Sequence, residues 1–352
     1  MNSLPFKKKF ACLISHGFVG FLVTLIFLAA AQGIHAALLS YEGFNYPSGS
    51  NLVGQNGGTG FGANAWLLNS SGASISTNRP DSLSYTDASG NSLVTSGGSV
   101  FLQGLTTGNT ASQPNRLLGY SRGTNSGGAD GVTTWVSFLA VRRGLTTNST
   151  IVPNNPYPRS ANLSLYNSVS SNSEKLAMGN TSNTPSNTVA LLPVGNIANI
   201  QTTTVSYSQT NLIVVRIDHN VGANDDAYLF VNPPLGSQPG IGLANASSLS
   251  SFDFSFNRIR PFAGGDQSAN QQPFAELILD EIRIGETYED VTPFIPKLSV
   301  AHIGSSLVLT WSGIFNLQSA TNVTGPYVPV SGATSLYTNN LSAALQFFRL
   351  SN

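Results

Sequence analysis

Three acids and one arginine interrupt an apolar run near the end of the chain, in the stretch LILDEIRIGE (Leu277–Glu286). Paired carboxylates can hydrolyse a glycosidic bond when they lie about 5–5.5 Å apart for retention or about 6.5–9.5 Å apart for inversion. On a strand, residues two apart share a face and adjacent residues point to opposite faces. The pattern therefore predicts Asp280 and Glu281 on opposite faces, with Glu281 and Arg283 paired on one face.

A structural role is the other interpretation of this strand. An arginine beside Glu281 would lower the pKa of that carboxyl group, which opposes the role of a general acid. Asp280 shares its face with two isoleucines, and an unsatisfied buried carboxylate is very costly. We therefore expect structural roles for Asp280, Glu281 and Arg283, and we expect Asp280 to accept a hydrogen bond from the first strand near Tyr41–Phe44.

A second group of oxygen-bearing side chains, Asn224, Asp225 and Asp226, connects two predicted strands. Calcium prefers such ligands, although the spacing matches no defined calcium-binding loop. An Asx-rich β-turn is the alternative, because Asn and Asp tolerate tight turn geometry. The sequence thus predicts either no cofactor or calcium at this turn.

Aromatic side chains near loops are the third group of candidates, because their flat apolar faces can pack against sugar rings. Trp66 follows a glycine-rich stretch, and Tyr120, Tyr157 and Tyr166 lie in or beside loops. Trp66, Tyr120 and Tyr157 are the predicted ligand-binding residues. For Trp66 the alternative is burial in the core, the usual position of a tryptophan near strands.

The chain begins with the pattern of a secretory signal peptide. Lys7–Lys9 are followed by an apolar segment and then by small residues that end at Ala36. The apolar segment is short for a membrane-spanning helix, which needs about 20 apolar residues. We expect cleavage near Ala36, no membrane span in the mature chain, and a secreted, extracellular or cell-surface location.

Composition excludes several functions for that mature chain. Cys12, the only cysteine, lies within residues 1–36, and only His219 and His302 remain of four histidines. Of 16 Lys and Arg, 13 remain against 16 Asp and Glu, so the net charge is about −3. Nucleic-acid binding is not expected without a basic surplus. Disulfides and cysteine–histidine zinc sites are excluded as well.

Short apolar runs separated by Gly, Asn, Ser and Pro predict an all-β sandwich or barrel, and the length of the middle of the chain fits one large two-sheet sandwich. The run Thr133–Arg143 is apolar on both faces, which is typical of a central strand with both sides covered. The run Ser251–Arg260 alternates phenylalanines with polar residues, which predicts one half-buried strand. The prolines of Val291–Leu298 predict a stiff connector. The resulting domains are residues 37–294 and a small C-terminal β domain, residues 295–352.

Five stretches together resemble, in order, secreted bacterial laminin-G-like, concanavalin-A-like jelly-roll proteins. They are YEGFNYPSGSNLVGQNGGTGFGANAW, TTWVSFLAVRR, LSLYNS…EKLAMGN, LIVVRIDHNVGANDDAYLFVNPPLGSQP and LDEIRIGETYEDVTP. The tail LVLTWSGIFNLQSATNVTGPYVPVSG…FFRL is similar to a short β module that ends many such proteins. The resemblance implies a two-sheet antiparallel jelly roll followed by a small β domain.

The resemblance does not imply an activity, because this sandwich carries both binding proteins and enzymes. Related hydrolases share a Glu-x-Asp-x-x-Glu strand. Glu281 and Glu286 match its outer positions, but Arg283 stands near its centre and breaks the acidic pattern. The sequence therefore favours a non-catalytic adhesion or binding protein that recognises a glycan or a cell-surface component. A glycoside hydrolase or polysaccharide lyase with an atypical site, and a purely structural surface protein, are the alternatives.

Overall fold

The chain folds almost entirely into β-strands, as its short apolar runs predict. A computed structural model describes residues 38–68, 75–103, 111–123, 131–144, 159–167, 174–181, 187–193, 199–253, 255–265, 275–340 and 345–351. The predicted signal peptide and Tyr157 lie outside these ranges. Within them, no helix has the length and apolar character needed to span a membrane.

The first seventeen strands are short to medium in length. They are β1 (Leu38–Glu42), β2 (Ser76–Arg79), β3 (Ser92–Leu93), β4 (Ser99–Leu102), β5 (Ala111–Ser112), β6 (Arg116–Arg122), β7 (Val132–Gly144), β8 (Arg159–Tyr166), β9 (Glu174–Asn180), β10 (Thr188–Pro193), β11 (Gln201–Ser206), β12 (Asn211–His219), β13 (Asp225–Val231), β14 (Ala246–Phe252), β15 (Phe256–Gly265), β16 (Ala275–Gly285) and β17 (Phe294–Ile295). The helical elements described are a 3-10 turn, Ile241–Leu243, and the helix α1, Tyr288–Val291.

Two large antiparallel sheets form a jelly-roll sandwich. One sheet has eight strands in the order β14-β13-β12-β7-β16-β4-β2, with β1 also pairing with β16. The other has seven strands in the order β11-β10-β9-β8-β15-β5, with β6 also pairing with β15. The predicted fold class is therefore confirmed.

The main hydrophobic core lies between these sheets and includes Val136, Leu163, Ile213 and Leu277. A second cluster covers the opposite side of the eight-stranded sheet, where Trp135 of β7 packs against Phe230 and Tyr288. Strand β7 is central in its sheet, and both of its faces are buried, as its apolar pattern predicts.

One predicted strand is wrong. The run Ser251–Arg260 is split between β14 and β15, which belong to different sheets. Phe256 begins β15 and is fully buried in the core between the sheets. A pattern with period two continues across this crossover, so it does not reveal the change of sheet.

Six short strands form the C-terminal part of the chain. They are β18 (Ser299–Ile303), β19 (Ser306–Thr310), β20 (Asn316–Ala320), β21 (Val328–Pro329), β22 (Tyr337–Asn340) and β23 (Phe347–Ser351). They form two three-stranded sheets around Leu309, Trp311 and Leu317.

The predicted connector also contacts the sandwich. β17 pairs with β3, and a Cβ atom added to Gly236 would lie only 2.4 Å from the Phe294 ring. The same ring meets Phe315 of the C-terminal strands edge to face, with centroids 5.5 Å apart. Phe294 therefore packs against both the sandwich and the C-terminal strands.

Phe294→Ala is expected to accelerate proteolysis of the connector at least about tenfold. Loss of a packed aromatic ring lowers the free energy of local unfolding, so the connector opens to the protease more often. Cleavage would be followed by limited proteolysis and mass spectrometry. Ile295→Ala is the matched control, since the neighbouring Ile295 side chain is 63% exposed. Equal cleavage rates for Phe294→Ala and Ile295→Ala would contradict the role of Phe294.

Candidate functional site

The outer face of the seven-stranded sheet, which points away from the main core, carries polar side chains from several adjacent strands. In β8, Ala161, Leu163 and Leu165 belong to the core. Strand alternation therefore turns Asn162, Ser164 and Tyr166 to the other side. None of the hydrophobic clusters formed by the described residues includes a residue of this outer face.

Strand β15 adds two arginines to the same face. Ile259 points into the core, so Arg258 and Arg260 on either side of it point outward. The strand register places Arg258 opposite Tyr166 and Arg260 opposite Ser164. The Asn115 Oδ1 atom accepts a hydrogen bond from Arg258 Nη1 at 2.6 Å.

Arg260 is held between two neighbours. It donates to Gln113 Oε1 at 3.0 Å and to Glu174 Oε1 at 3.3 Å. Its guanidinium lies over the Tyr166 ring, 4.4 Å from the centroid, which is a favourable cation–π distance. Glu174 also accepts a short hydrogen bond from Ser164. These contacts fix the direction of the Arg260 side chain.

Two donor atoms on this face are not used. The Nε atoms of Arg258 and Arg260 are buried and have no hydrogen-bond partner in the described part of the chain. Arg258 is 7% exposed, and burial lowers the pKa of its guanidinium. Arg260 and Glu174 are more exposed at 12% and 22% of their side chains. Tyr166 is only 2% exposed. These groups therefore form a largely buried, hydrogen-bonded row in which Arg258, Arg260 and Glu174 leave an excess of positive charge.

Tyr166 is the phenol of this group. Burial raises the pKa of Tyr166, nearby Arg260 lowers it in part, and Glu174 raises it further. The phenol therefore stays protonated near neutral pH, where it can donate a hydrogen bond. With the arginines and amides, it can hold a polar ligand in a defined orientation.

Asp280 of β16 is fully buried. Its Oδ2 atom accepts hydrogen bonds from Ser82 Oγ at 2.6 Å and Leu83 N at 2.8 Å. Its Oδ1 atom accepts one from Glu281 N at 2.8 Å. The predicted partner in the first strand is wrong, because residues 82–83 cover this part of the sheet.

Glu281 contacts the first strand instead. Tyr41 donates to both of its carboxylate oxygens, at 3.0 and 3.1 Å, and Ser96 N donates at 2.6 Å. The predicted ion pair with Arg283 is present, and both side chains are buried. This makes the carboxylate part of a packed network.

The prediction that Asp280 and Glu281 occupy opposite faces is wrong. Glu281 has a φ of 55°, and the register with β7 shifts between Asp280 and Arg283. This bulge breaks the alternation of the strand. Both carboxylates consequently bond to the segment of residues 82–96.

Glu286 takes no part in the Glu281 network. Its carboxylate pairs with Arg122 at 3.0 Å and is 41% exposed. The Glu-x-Asp-x-x-Glu spacing therefore brings no acid pair into a common cleft here.

Trp66 is fully buried, so the prediction that its ring is a platform for sugar is wrong. Its Nε1 donates to Glu42 Oε2 at 3.0 Å, and its ring stacks on Phe44. Glu42 also forms a buried ion pair with Arg116 at 2.6 Å. The network around Glu42 holds the tryptophan inside the glycine-rich N-terminal segment.

Tyr120 is half-buried against the core, and its hydroxyl lies 2.8 Å from Ser40 Oγ. Burial raises the pKa of Tyr120 to about 12. It is not brought together with Trp66 as a sugar-binding surface. Tyr157 lies outside the described residues, so its role stays a prediction.

The predicted calcium ligands hydrogen-bond with neighbouring residues. Asp225 is buried beside His219 and accepts from Asn220 N. Asp226 accepts from Ser250 N, and Asn224 donates to Ser250 O. No group of three or more His, Cys, Asp or Glu suited to a metal ion occurs within the described ranges. Calcium at this turn stays a prediction.

Sequence reasoning missed Arg258, Arg260, Glu174 and their amide partners. A signal was present, because NRIRPF places two arginines on one side of a strand and an isoleucine on the other. ANLSLY likewise alternates polar and apolar residues. The register that makes these two polar rows adjacent is long-range and was not visible.

The fold is a two-sheet jelly roll, consistent with the concanavalin-A-like class, while a laminin-G-like assignment stays a prediction. No protein-family model matches the chain, and no curated protein matches it.

Three solved structures illustrate the similarity. An endo-β-1,4-glucuronan lyase from the fungus Trichoderma reesei has 13% identity, covering 73% of this chain and 99% of that chain at a TM-score of 0.40. Alginate lyase AlgAT5 of Polysaccharide Lyase family 7 has 7% identity. The match covers 70% of this chain and 94% of the lyase chain, with a TM-score of 0.37. The Emp47p carbohydrate recognition domain has 8% identity. The match covers 70% of this chain and 97% of the Emp47p chain, with a TM-score of 0.33.

Proposed function

We propose that this protein is a secreted, non-catalytic binding protein that recognises a glycan through the outer face of its seven-stranded sheet. The observation that carries the proposal is the row of Arg258, Arg260, Tyr166 and Glu174 on adjacent strands, with two arginine Nε atoms left without partners. A polar ligand with several hydroxyl or acidic groups would supply the missing acceptors. Secretion follows in this proposal from cleavage near Ala36.

The chemistry of the face favours binding over catalysis. A general base should have a pKa near the working pH, and burial and Glu174 both raise the pKa of Tyr166. His302 lies in β18, outside this sheet. His219 lies in β12 of the other sheet, and its ring stacks on Phe256, which points into the core and not to the outer face. Asp280 and Glu281 of β16 accept hydrogen bonds from the segment of residues 82–96 that covers them.

Arg260→Ala is expected to weaken glycan binding at least about tenfold, because it removes charge-assisted hydrogen bonds. Arg216→Ala is the matched control, since Arg216 is also paired with one acid and also lies near an aromatic ring, but in the other sheet. Affinity electrophoresis against a panel of neutral and acidic polysaccharides would measure both variants. Equal loss in the two variants, or binding to no polysaccharide, would overturn the proposal.

A polysaccharide lyase is the second candidate. It is favoured by one observation: a guanidinium, a phenol and a carboxylate, from Arg258, Tyr166 and Glu174, lie side by side across three strands. Elimination next to a sugar carboxylate needs a cation to stabilise that carboxylate and a base to remove a proton.

Ultraviolet absorbance of unsaturated products distinguishes the two candidates. We expect no product from the wild-type protein. Product that forms with wild type and disappears in Tyr166→Phe would replace the binding proposal with the lyase.

A further inference from the structure

We infer that the glycan bound at this face is anionic, with a carboxylate or sulfate group held by Arg258. This inference rests on the proposed function and specifies the class of its ligand. The decisive feature is the guanidinium of Arg258, which has no ion-pair partner among the described residues.

Two other buried arginines form ion pairs, and Arg258 differs from them. Arg116 pairs with Glu42, and Arg283 pairs with Glu281. Arg258 is comparably buried at 7% exposure but forms no ion pair with any carboxylate of the described residues. Among the described residues, its side chain hydrogen-bonds to the neutral amide oxygen of Asn115.

An isolated buried cation is costly, and proteins normally compensate it with an opposite charge. Burial accordingly lowers the pKa of Arg258. The unused Nε–H adds a directional donor. An acidic group from outside the protein would satisfy both the charge and the hydrogen bond, which a neutral hydroxyl would not.

Arg260 extends the positive surface along β15. Residues two apart on a strand are about 6.6 Å apart, so the two arginines can contact one acidic group together or two successive ones. Glu174 is the acid that pairs with Arg260, and it also accepts from Ser164. The three charged groups leave a surplus of one positive charge.

The charge balance predicts opposite effects for two substitutions. Arg258→Gln removes the uncompensated cation and is expected to weaken binding of an acidic polymer at least about tenfold. Glu174→Gln keeps an oxygen acceptor but removes the negative charge, and is expected to strengthen binding about two- to fivefold. A gain of affinity cannot result from a variant that fails to fold.

The experiment uses matched pairs of polymers with the full-length mature protein. Polygalacturonate is compared with its carboxyl-reduced form, and dextran sulfate with dextran, by affinity electrophoresis at low and high salt. Arg349→Gln is the control for general loss of positive charge, because Arg349 lies in β23 of the C-terminal strands. The two pairs distinguish a carboxylate from a sulfate.

We expect the protein to bind the acidic polymer of a pair and not its neutral partner. This binding should weaken as the salt concentration rises. We also expect loss in Arg258→Gln, gain in Glu174→Gln and no change in Arg349→Gln. Equal binding to the acidic and neutral members, or weaker binding in Glu174→Gln, would overturn the inference and leave glycan binding intact. Binding to none of the polysaccharides would overturn both.

Discussion

Arg116→Met is expected to lower the free energy of unfolding by about 3–5 kcal/mol, because it leaves Glu42 as a buried charge without its counter-ion. Both side chains are 1% exposed, and the ion pair measures 2.6 Å. Arg116 also donates to the backbone oxygens of Asn64 at 2.9 Å and Gly57 at 2.7 Å. The substitution therefore also leaves these carbonyl groups without their donor.

The Glu42 carboxylate explains why a glycine-rich segment packs tightly without regular structure. It accepts from Phe44 N, Tyr46 Oη and Trp66 Nε1 in addition to Arg116. One carboxylate thus connects the end of β1 to positions 44, 46, 66 and 116. Its removal would loosen several turns at once.

Urea denaturation followed by tryptophan fluorescence would measure the effect of Arg116→Met. Arg122→Met is the matched control, because the Arg122–Glu286 pair is partly exposed and should contribute less than about 1 kcal/mol. A similar loss for both variants would show that burial of the Arg116 pair is not the cause.

The second large effect is a fall in the free energy of unfolding as the pH rises from about 4 to about 8. Burial, and to a lesser extent the neighbouring Glu281 charge, raise the pKa of Asp280 from 3.8 to about 8. Hydrogen bonds from Ser82, Leu83 N and Glu281 N lower the pKa only in part.

The sign follows from proton binding. Between these two pKa values the folded state keeps a proton that the unfolded state releases, so stability decreases with rising pH. One group contributes a slope of at most about 1.4 kcal/mol per pH unit. The contribution is complete at low pH and is lost as the pH passes through the folded-state pKa.

Urea denaturation at intervals from pH 4 to pH 8 would test the Asp280 prediction. Asp280→Asn should flatten the dependence of the unfolding free energy on pH. Glu281→Gln removes the neighbouring negative charge, so the pH range of the fall should end at a lower pH. Glu289→Gln, at an exposed position of α1, should keep the wild-type slope. If the unfolding free energy of Asp280→Asn fell with pH as steeply as that of the wild type, Asp280 would not be the group responsible for the pH dependence.

Local patterns in the sequence were sufficient to predict the all-β class, whereas the jelly-roll architecture was implied by the resemblance. Period-two alternation and turn residues identified the all-β class and the central position of β7, because side-chain direction on a strand is a local property. The ion pair between Glu281 and Arg283 followed from their spacing. The same rule could have separated Arg258 and Arg260 from Ile259.

Tertiary structure decided which of these faces are covered and which residues meet. Asp280 bonds to residues 82–83 and Trp66 points inward because segments far away in sequence pack over them. The bulge at Glu281 depends on register with β7, and the polar face depends on β8 lying between β9 and β15. The sequence by itself determined the all-β class and the alternation of faces along regular strands such as β7. Only the long-range pairing of strands decided which carboxylates became part of the interior and which arginine has no counter-charge among the described residues.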